Sequence, residues 1–201
     1  VRRGFGVSKR IGLVGTAFAE ASAMEAVCDE AEAAGARVSF SSLRLNSKVI
    51  SMLRRRSGVI DNETIAVAPE AATAKLRKVI NKDLGDSVDE LLDGKLPEGL
   101  RALKFYYLIG VPGENREDVE AIVDEVKRAR EKASRRGLKV SLSVNPLVPK
   151  AQTAFQWLPG CGSAEVKAKL SQIKQGLSGR GGVPVSGMSA REAEIQSTLS
   201  L

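Results

Sequence analysis

The chain has 201 residues, 43% of them apolar, and a formal net charge of +7, which is enough apolar content for one buried core, or a core and a short tail. No run approaches the ~20 apolar residues of a membrane-spanning helix and no secretory leader opens the chain, so it reads as cytoplasmic and without a membrane partner. Histidine is absent and cysteine occurs twice, at Cys28 and Cys161, which removes the commonest general base and any closely spaced metal motif.

In chain order, the first apolar run is "IGLVGT" at 11 to 16, a strand that empties into a turn at Gly15 and Thr16. The stretch "AEASAMEAVCDEAEAAG" follows, and its spacing puts Met24, Val27, Cys28 and Ala31 on one helical face that stops at Gly35, which makes Cys28 a core residue. Strands are expected at "RVSFSSLRL" (37 to 45) and "TIAVAP" (64 to 69), and "SVDE" at 87 to 90 is a capping-box pattern ahead of Leu91 and Leu92. "LKFYYLIG" at 103 to 110 is a buried strand that runs into the Pro112-Gly113 turn. The helix from Arg116 places Val119, Ile122, Val123 and Val126 on one stripe, with Asn115 as its cap and Gly137 beyond its end.

The last strong strand signal, "LKVSLSVNPLV" at 138 to 148, alternates Leu138, Val140, Leu142 and Val144 with Lys139, Ser141, Ser143 and Asn145. A polar face of this kind fits either a strand lining a polar cavity or an edge strand facing water. After Pro159 the composition shifts to a short helix, a Gly-rich link and a second helical stretch from Ser189. Strands alternating with helices imply right-handed βαβ units and a parallel sheet. The fold class is therefore α/β with about five βα units over residues 1–158, followed by a helical C-terminal extension over 159–201 that is expected to lie beyond the sheet. At the start, "VRRGFG" is expected to lead straight into the first strand.

In such sheets ligands gather beyond the carboxyl ends of the strands, which directs attention to Gly15 and Thr16, Arg44 to Asn46, Pro69 and Glu70, Gly110 to Glu114, and Asn145 to Lys150. A dinucleotide fingerprint fails, because Gly12 and Gly15 do not give G-x-G-x-x-G and the second strand ends in Arg44 rather than an acid. Walker and nucleophile-elbow patterns are absent. The basic residues are spread along helices and mixed with acids, and aromatics are scarce, so the charge reads as solvated helix faces and no nucleic-acid partner is expected.

Four stretches in order, "SSLRLN", "IAVAPEAATAKLRKVINKDL", "LKFYYLIGVPGENREDV" and "VNPLVPKAQTAFQWLP", resemble the second part of the catalytic barrel of radical S-adenosylmethionine enzymes, nearest to the methylthiotransferase-like and cobalamin-associated branches. That family builds an incomplete (β/α)6 barrel, and a four-iron four-sulfur cluster sits on a C-x-x-x-C-x-x-C loop after its first strand. The five strands of this chain would match the second to sixth strands of that barrel, and the cysteine loop is absent. The resemblance implies S-adenosylmethionine and a cluster as cofactors of a longer parent protein. It implies cofactor contacts at Gly15 and Thr16, although the usual Gly-Gly-Glu is missing there, and at Arg44, Glu70, Gly110, Pro112 and Asn145. Gly110 would let backbone approach the ligand, while Glu114 reads as a helix-start charge. No residue of this chain is assigned a catalytic or metal-ligating role. The expected partners are an N-terminal part of the same protein and, through the edge of the first strand, a second copy. The alternative reading is a free-standing α/β ligand-binding or partner-docking domain.

Overall fold

A computed structural model describes residues 2–15, 20–41, 43–82, 87–179 and 181–200. Its elements are α1 (Arg2–Phe5), β1 (Arg10–Leu13), α2 (Ala21–Ala33), β2 (Arg37–Phe40), α3 (Ser47–Arg55), β3 (Thr64–Glu70), α4 (Ala74–Val79), α5 (Ser87–Asp93), β4 (Ala102–Ile109), α6 (Arg116–Arg135), β5 (Lys139–Pro146), α7 (Ser163–Gly176), β6 (Val185–Ser186) and α8 (Ala190–Leu199). The strands pair in the orders β1-β2 and β3-β4-β5-β6. The fold is α/β with parallel strands, as the alternation in the sequence predicts. The chain divides into two units, residues 1–67, 84–104 and 131–139, and residues 68–83, 105–130 and 140–201.

In the first unit β1 and β2 run parallel with Arg10 beside Arg37 and Leu13 beside Phe40. A single parallel bridge, Val38 to Ile60, ties β2 to the segment leading into β3. The predicted strand at 37 to 45 is shorter than its apolar pattern, and the reason is local. The side-chain amide of Asn62 takes over both backbone groups of Phe40, accepting its N–H at 3.0 Å and donating to its carbonyl at 2.8 Å, so the ladder closes with a side chain instead of another strand residue. Met24, Cys28 and Ala31 of α2, Val38 and Phe40, and Val49, Ile50, Met52 and Leu53 of α3 are all buried. Cys28 is thus a core residue, and burial pushes its thiol up to about 11. Asn46 caps α3 by accepting the Val49 N–H at 2.9 Å. The start differs from the expected direct entry into a strand: a single helical turn, α1, comes first and buries Phe5.

In the second unit Val119, Ile122, Val123 and Val126 of α6 are buried as a stripe. Asn115 and Asp118 cap that helix reciprocally, Asn115 Oδ1 accepting the Asp118 N–H and Asp118 Oδ2 accepting the Asn115 N–H, both at 2.9 Å. Strand β5 lies between β4 and β6, which resolves the open choice about its polar face: it is an internal strand, with Ser143 buried and Ser141 and Asn145 half-buried. The segment after 159 is mainly helical, and Ser189 opens α8 with a capping box. It does not lie wholly beyond the sheet, however, because β6 pairs in parallel with β5, Leu142 beside Val185 and Ser143 beside Ser186. Backbone groups left open on β5 recruit the nearest extended residues, and two suffice.

Candidate functional site

Three neighbouring strands of the second unit end in residues the sequence singles out. Glu70 is the last residue of β3 and holds a φ of 64°, a left-handed conformation that a residue with a side chain adopts at a cost of order 1–3 kcal/mol. Its Oε1 accepts from Lys82 Nζ at 3.0 Å. Gly110 follows β4 at φ 76°, and its turn closes where the Glu114 N–H donates to the Val111 carbonyl at 2.9 Å, with Pro112 half-buried between them. Asn145, near the end of β5, accepts the Met188 N–H on Oδ1 at 2.9 Å, so its amide nitrogen remains to donate. Alternation along the strands puts Glu70 and Asn145 on the half-exposed faces of β3 and β5, opposite the buried positions.

The turns after β3 and β4 are fastened to each other through Asp118. Its carboxylate accepts from Thr73 Oγ1 at 2.7 Å and Lys75 Nζ at 2.6 Å, and Lys75 also donates to the Gly113 carbonyl at 3.0 Å. Burial works against the charged form of Asp118, but the bonds from Lys75, the Asn115 N–H and Thr73 together hold its carboxyl below the usual range.

Beside this clamp is a second charged group that sequence reasoning missed. Glu114 looks like a helix-start acid, yet its side chain is 1% exposed. Its Oε2 accepts the Gly110 N–H at 2.7 Å and Lys169 Nζ of α7 at 2.6 Å, while its Oε1 is buried with no hydrogen-bond partner. Burial raises the Glu114 carboxyl above its ordinary range, and the Lys169 and Gly110 bonds only partly offset it. Lys169 is 13% exposed and also bonds Glu165 Oε1 at 2.6 Å. Its own burial is outweighed by the two carboxylates, so its ammonium is held up. Glu165 is lowered by Lys169 and by the Cys161 thiol. Burial and the bond to Glu165 push that thiol up to about 11, so Cys161 stays protonated near neutral pH and is a poor nucleophile.

The remaining sequence-predicted residues lie elsewhere. Gly15 and Arg44 belong to the first unit and are exposed, with the Gly15 N–H donating to Ser41 Oγ at 3.2 Å. Thr16 lies outside the described residues. Lys150 is exposed. Pro112 and Gly110 share one turn with Glu114, and the close approach that Gly110 allows is taken by Cys161: a Cβ placed on Gly110 would lie 2.6 Å from the Cys161 Cβ. The first unit has a cleft of about 320 Å3 at the amino ends of its strands, where Arg10 and Arg37 share Asp61. Among the described residues no group of three or more cysteine, aspartate or glutamate side chains is arranged to hold a metal ion.

No protein-family model matches this chain. Among curated proteins it is similar to MJ0966 of Methanocaldococcus jannaschii, named only as an uncharacterized protein, with 27% identity over 148 residues. That alignment covers 73% of this chain and 32% of the relative, so the chain spans about a third of the length of the curated protein it matches.

Proposed function

We propose that the chain is part of the S-adenosylmethionine-binding wall of a radical S-adenosylmethionine enzyme, the second to sixth strands of an incomplete (β/α)6 barrel. The observation that supports this reading best is the convergence of Glu70, Gly110 and Asn145 at the carboxyl ends of the adjacent strands β3, β4 and β5, the end at which α/β sheets hold ligands. The second oxygen of Glu70 and the amide nitrogen of Asn145 supply an acceptor and a donor for the ribose and amino groups of such a cofactor. Bound with a reduced cluster, the cofactor would supply a carbon radical. The residues of this chain do not fit the cluster: Cys28 is buried in the core and Cys161 stands alone, and three thiolates are needed. The cluster ligands belong in this reading to a preceding part of the same protein. In this reading the parent is a cytoplasmic oxidoreductase. No described helix is long and apolar enough to cross a membrane.

Titration of the chain with S-adenosylmethionine, followed by amide chemical shifts, tests the wall directly. Shifts confined to the amides of Glu70, Gly110, Val111, Gly113 and Asn145 are expected, weak in this chain and strong in the longer natural protein after anaerobic iron and sulfide loading. Absence of shifts at those residues in the loaded longer protein would end this reading. A second reading, an α/β docking or ligand-binding domain without radical chemistry, is favoured by the internal partners of Glu70, the Gly110 N–H and Asn145 Oδ1, namely Lys82, Glu114 and Met188. The reading frame ahead of Val1 separates the two, since a C-x-x-x-C-x-x-C loop there supports the first.

The edge of β1 bears on partners. Among the described residues β1 has β2 on one side and no strand on the other, and Ile11 and Leu13, which share the face of their partners Val38 and Phe40, are half-buried where those two are buried. This supports pairing of β1 with a strand of the preceding part of the protein or with a second copy.

A further inference from the structure

The charged group around Glu114 closes on itself. Starting from Gly110, its N–H bonds Glu114 Oε2, which bonds Lys169, which bonds Glu165. The Cys161 thiol is pushed up in part by the neighbouring Glu165 carboxylate, and the Cys161 Cβ packs where a side chain on Gly110 would otherwise stand. Glu165 and Lys169, four residues apart, share one stripe of α7, and Cys161 lies in the extended segment just ahead of that helix. An ordinary surface salt bridge contributes little and is not built in this way. Here a carboxylate with 1% of its surface exposed is retained with one oxygen unpaired, a burial that costs free energy unless the arrangement is wanted for its geometry.

The geometry points to a positioning latch: Lys169, with Glu165 and Cys161, holds the Gly110–Glu114 turn in its left-handed shape from α7, so that the segment after 159 sets the floor of the strand-end site. Lys169 acts through Glu114 and touches no ligand in this scheme. The groups that face Glu114 from the neighbouring elements are Lys169 from α7, Asp118 from α6 and the Gly110 N–H from the turn itself. The thiol is part of the packing rather than a reactive group, since it sits against Gly110 and keeps its proton.

The latch makes a local prediction that a general loss of stability would not. In the intact chain, Lys169→Met is expected to speed hydrogen exchange at the Gly110 amide by about tenfold, the order for losing one charge-assisted hydrogen bond, while exchange at Phe105 and Val126 stays as in the wild type. Lys169→Arg, which keeps the charge, is expected to restore most of the protection. Should Lys169→Met fold poorly, Glu165→Gln weakens the same ring from its exposed side and is expected to give a smaller change of the same sign. Unchanged Gly110 exchange in Lys169→Met, or equal acceleration at Phe105, would overturn the latch. The effect on cofactor affinity rests on the proposed function and is read separately. If Gly110 exchange responds while S-adenosylmethionine shifts no resonance even in the loaded longer protein, the latch stands and the cofactor reading falls. If cofactor binds and Lys169→Met leaves both exchange and affinity alone, the reverse holds.

Discussion

The α2–β2–α3 region of the first unit and the β4–α6–α7 region of the second differ in where they bury carboxylates. In the first, the ion pairs lie outside an apolar core: Arg55 with Glu25, and Arg56 with Asp29 and Glu32, all with at least one largely exposed partner. Buried Asn62 satisfies its oxygen and nitrogen on backbone, whereas Arg54 of α3 donates through Nη2 to the Glu90 carbonyl and keeps a buried Nε without a partner. In the second, Glu114 and Asp118 are charged and buried, and one carboxylate oxygen is left without a partner. Tyr107 is buried too, and burial together with Glu125 raises its phenol well above the usual range. A protein selected for stability alone has little reason to bury carboxylates, since apolar residues of the same volume serve as well or better. The difference that remains is one of carboxylates: those of α2 pair near the surface, whereas Glu114 and Asp118 are buried beside the strand-end turns.

This contrast can be broken from the scaffold side first. Leu53 and Met52 are fully buried in α3, and Leu53→Ala is expected to lower stability by about 2–5 kcal/mol, the usual result of removing a core side chain and leaving part of its cavity. Chemical denaturation measures it directly. A cost under about 1 kcal/mol would mean the α2–β2–α3 region is looser than its burial implies.

Gly110→Ala is expected next in size, at about 2–3 kcal/mol, because the new methyl meets both a left-handed φ of 76° and the Cys161 Cβ. Pairing it with Cys161→Gly sharpens the comparison. The steric part should be relieved in the double variant and the conformational part should remain, so the two substitutions are expected to couple favourably in a double-mutant cycle. Additive effects would mean that the loop before α7 does not rest on Gly110.

Much of the scaffold was legible in the sequence, and the charged ring was not. Helix α6 could be read almost residue by residue, because its stripe, its Asn115 cap and its Gly137 end are local signals within one element. The five longer strands were visible as apolar runs. Strand β6 was hidden because two residues carry no periodicity, and only the long-range pairing with Leu142 and Ser143 makes them a strand. The shortening of β2 depends on Asn62, twenty-two residues after Phe40, and no pattern within the strand announces it. At the strand ends, Glu70, Gly110 and Asn145 were found from a general rule about where ligands collect. Glu114 was misjudged, since an acid before a helix ordinarily faces water, and the Lys169 that buries it is fifty-five residues away. The spacing of Cys161, Glu165 and Lys169 was the one available hint.

Asp118→Asn is expected to cost about 1–2 kcal/mol at neutral pH, because the amide cannot accept from Thr73, Lys75 and the Asn115 N–H together. The lowered carboxyl of Asp118 fixes the pH behaviour. Its contribution is present above the carboxylate's unfolded pKa and is lost as pH falls through the lower folded value, so the gap between wild type and variant should close on acidification. Denaturation midpoints from neutral to strongly acid pH will show this, and a gap that persists in acid would remove Asp118 as the charged clamp of the two turns.

Glu114→Gln should give the smallest change near neutral pH, and its sign is the informative part. The folded state raises the Glu114 carboxyl, chiefly through burial. Such a group favours the fold while it is protonated, and that advantage is lost as pH rises through the folded pKa. Wild type should therefore lose stability over the window from the ordinary carboxylate value upward, and a glutamine, which still accepts the Gly110 N–H, should not. Relative to wild type the variant should improve as pH rises through that window, although it gives up the ion pair with Lys169. Lys169 points the other way, because its ammonium is held up by Glu114 and Glu165. The two shifts are reconciled by exposure: the lysine keeps some water and two carboxylates, whereas Glu114 has almost no water and a single ammonium. Burial should therefore dominate at Glu114. A variant that instead falls behind wild type as pH rises would show that the pair with Lys169 outweighs the burial, and that this charge stabilises the second region much as the surface pairs do in the first.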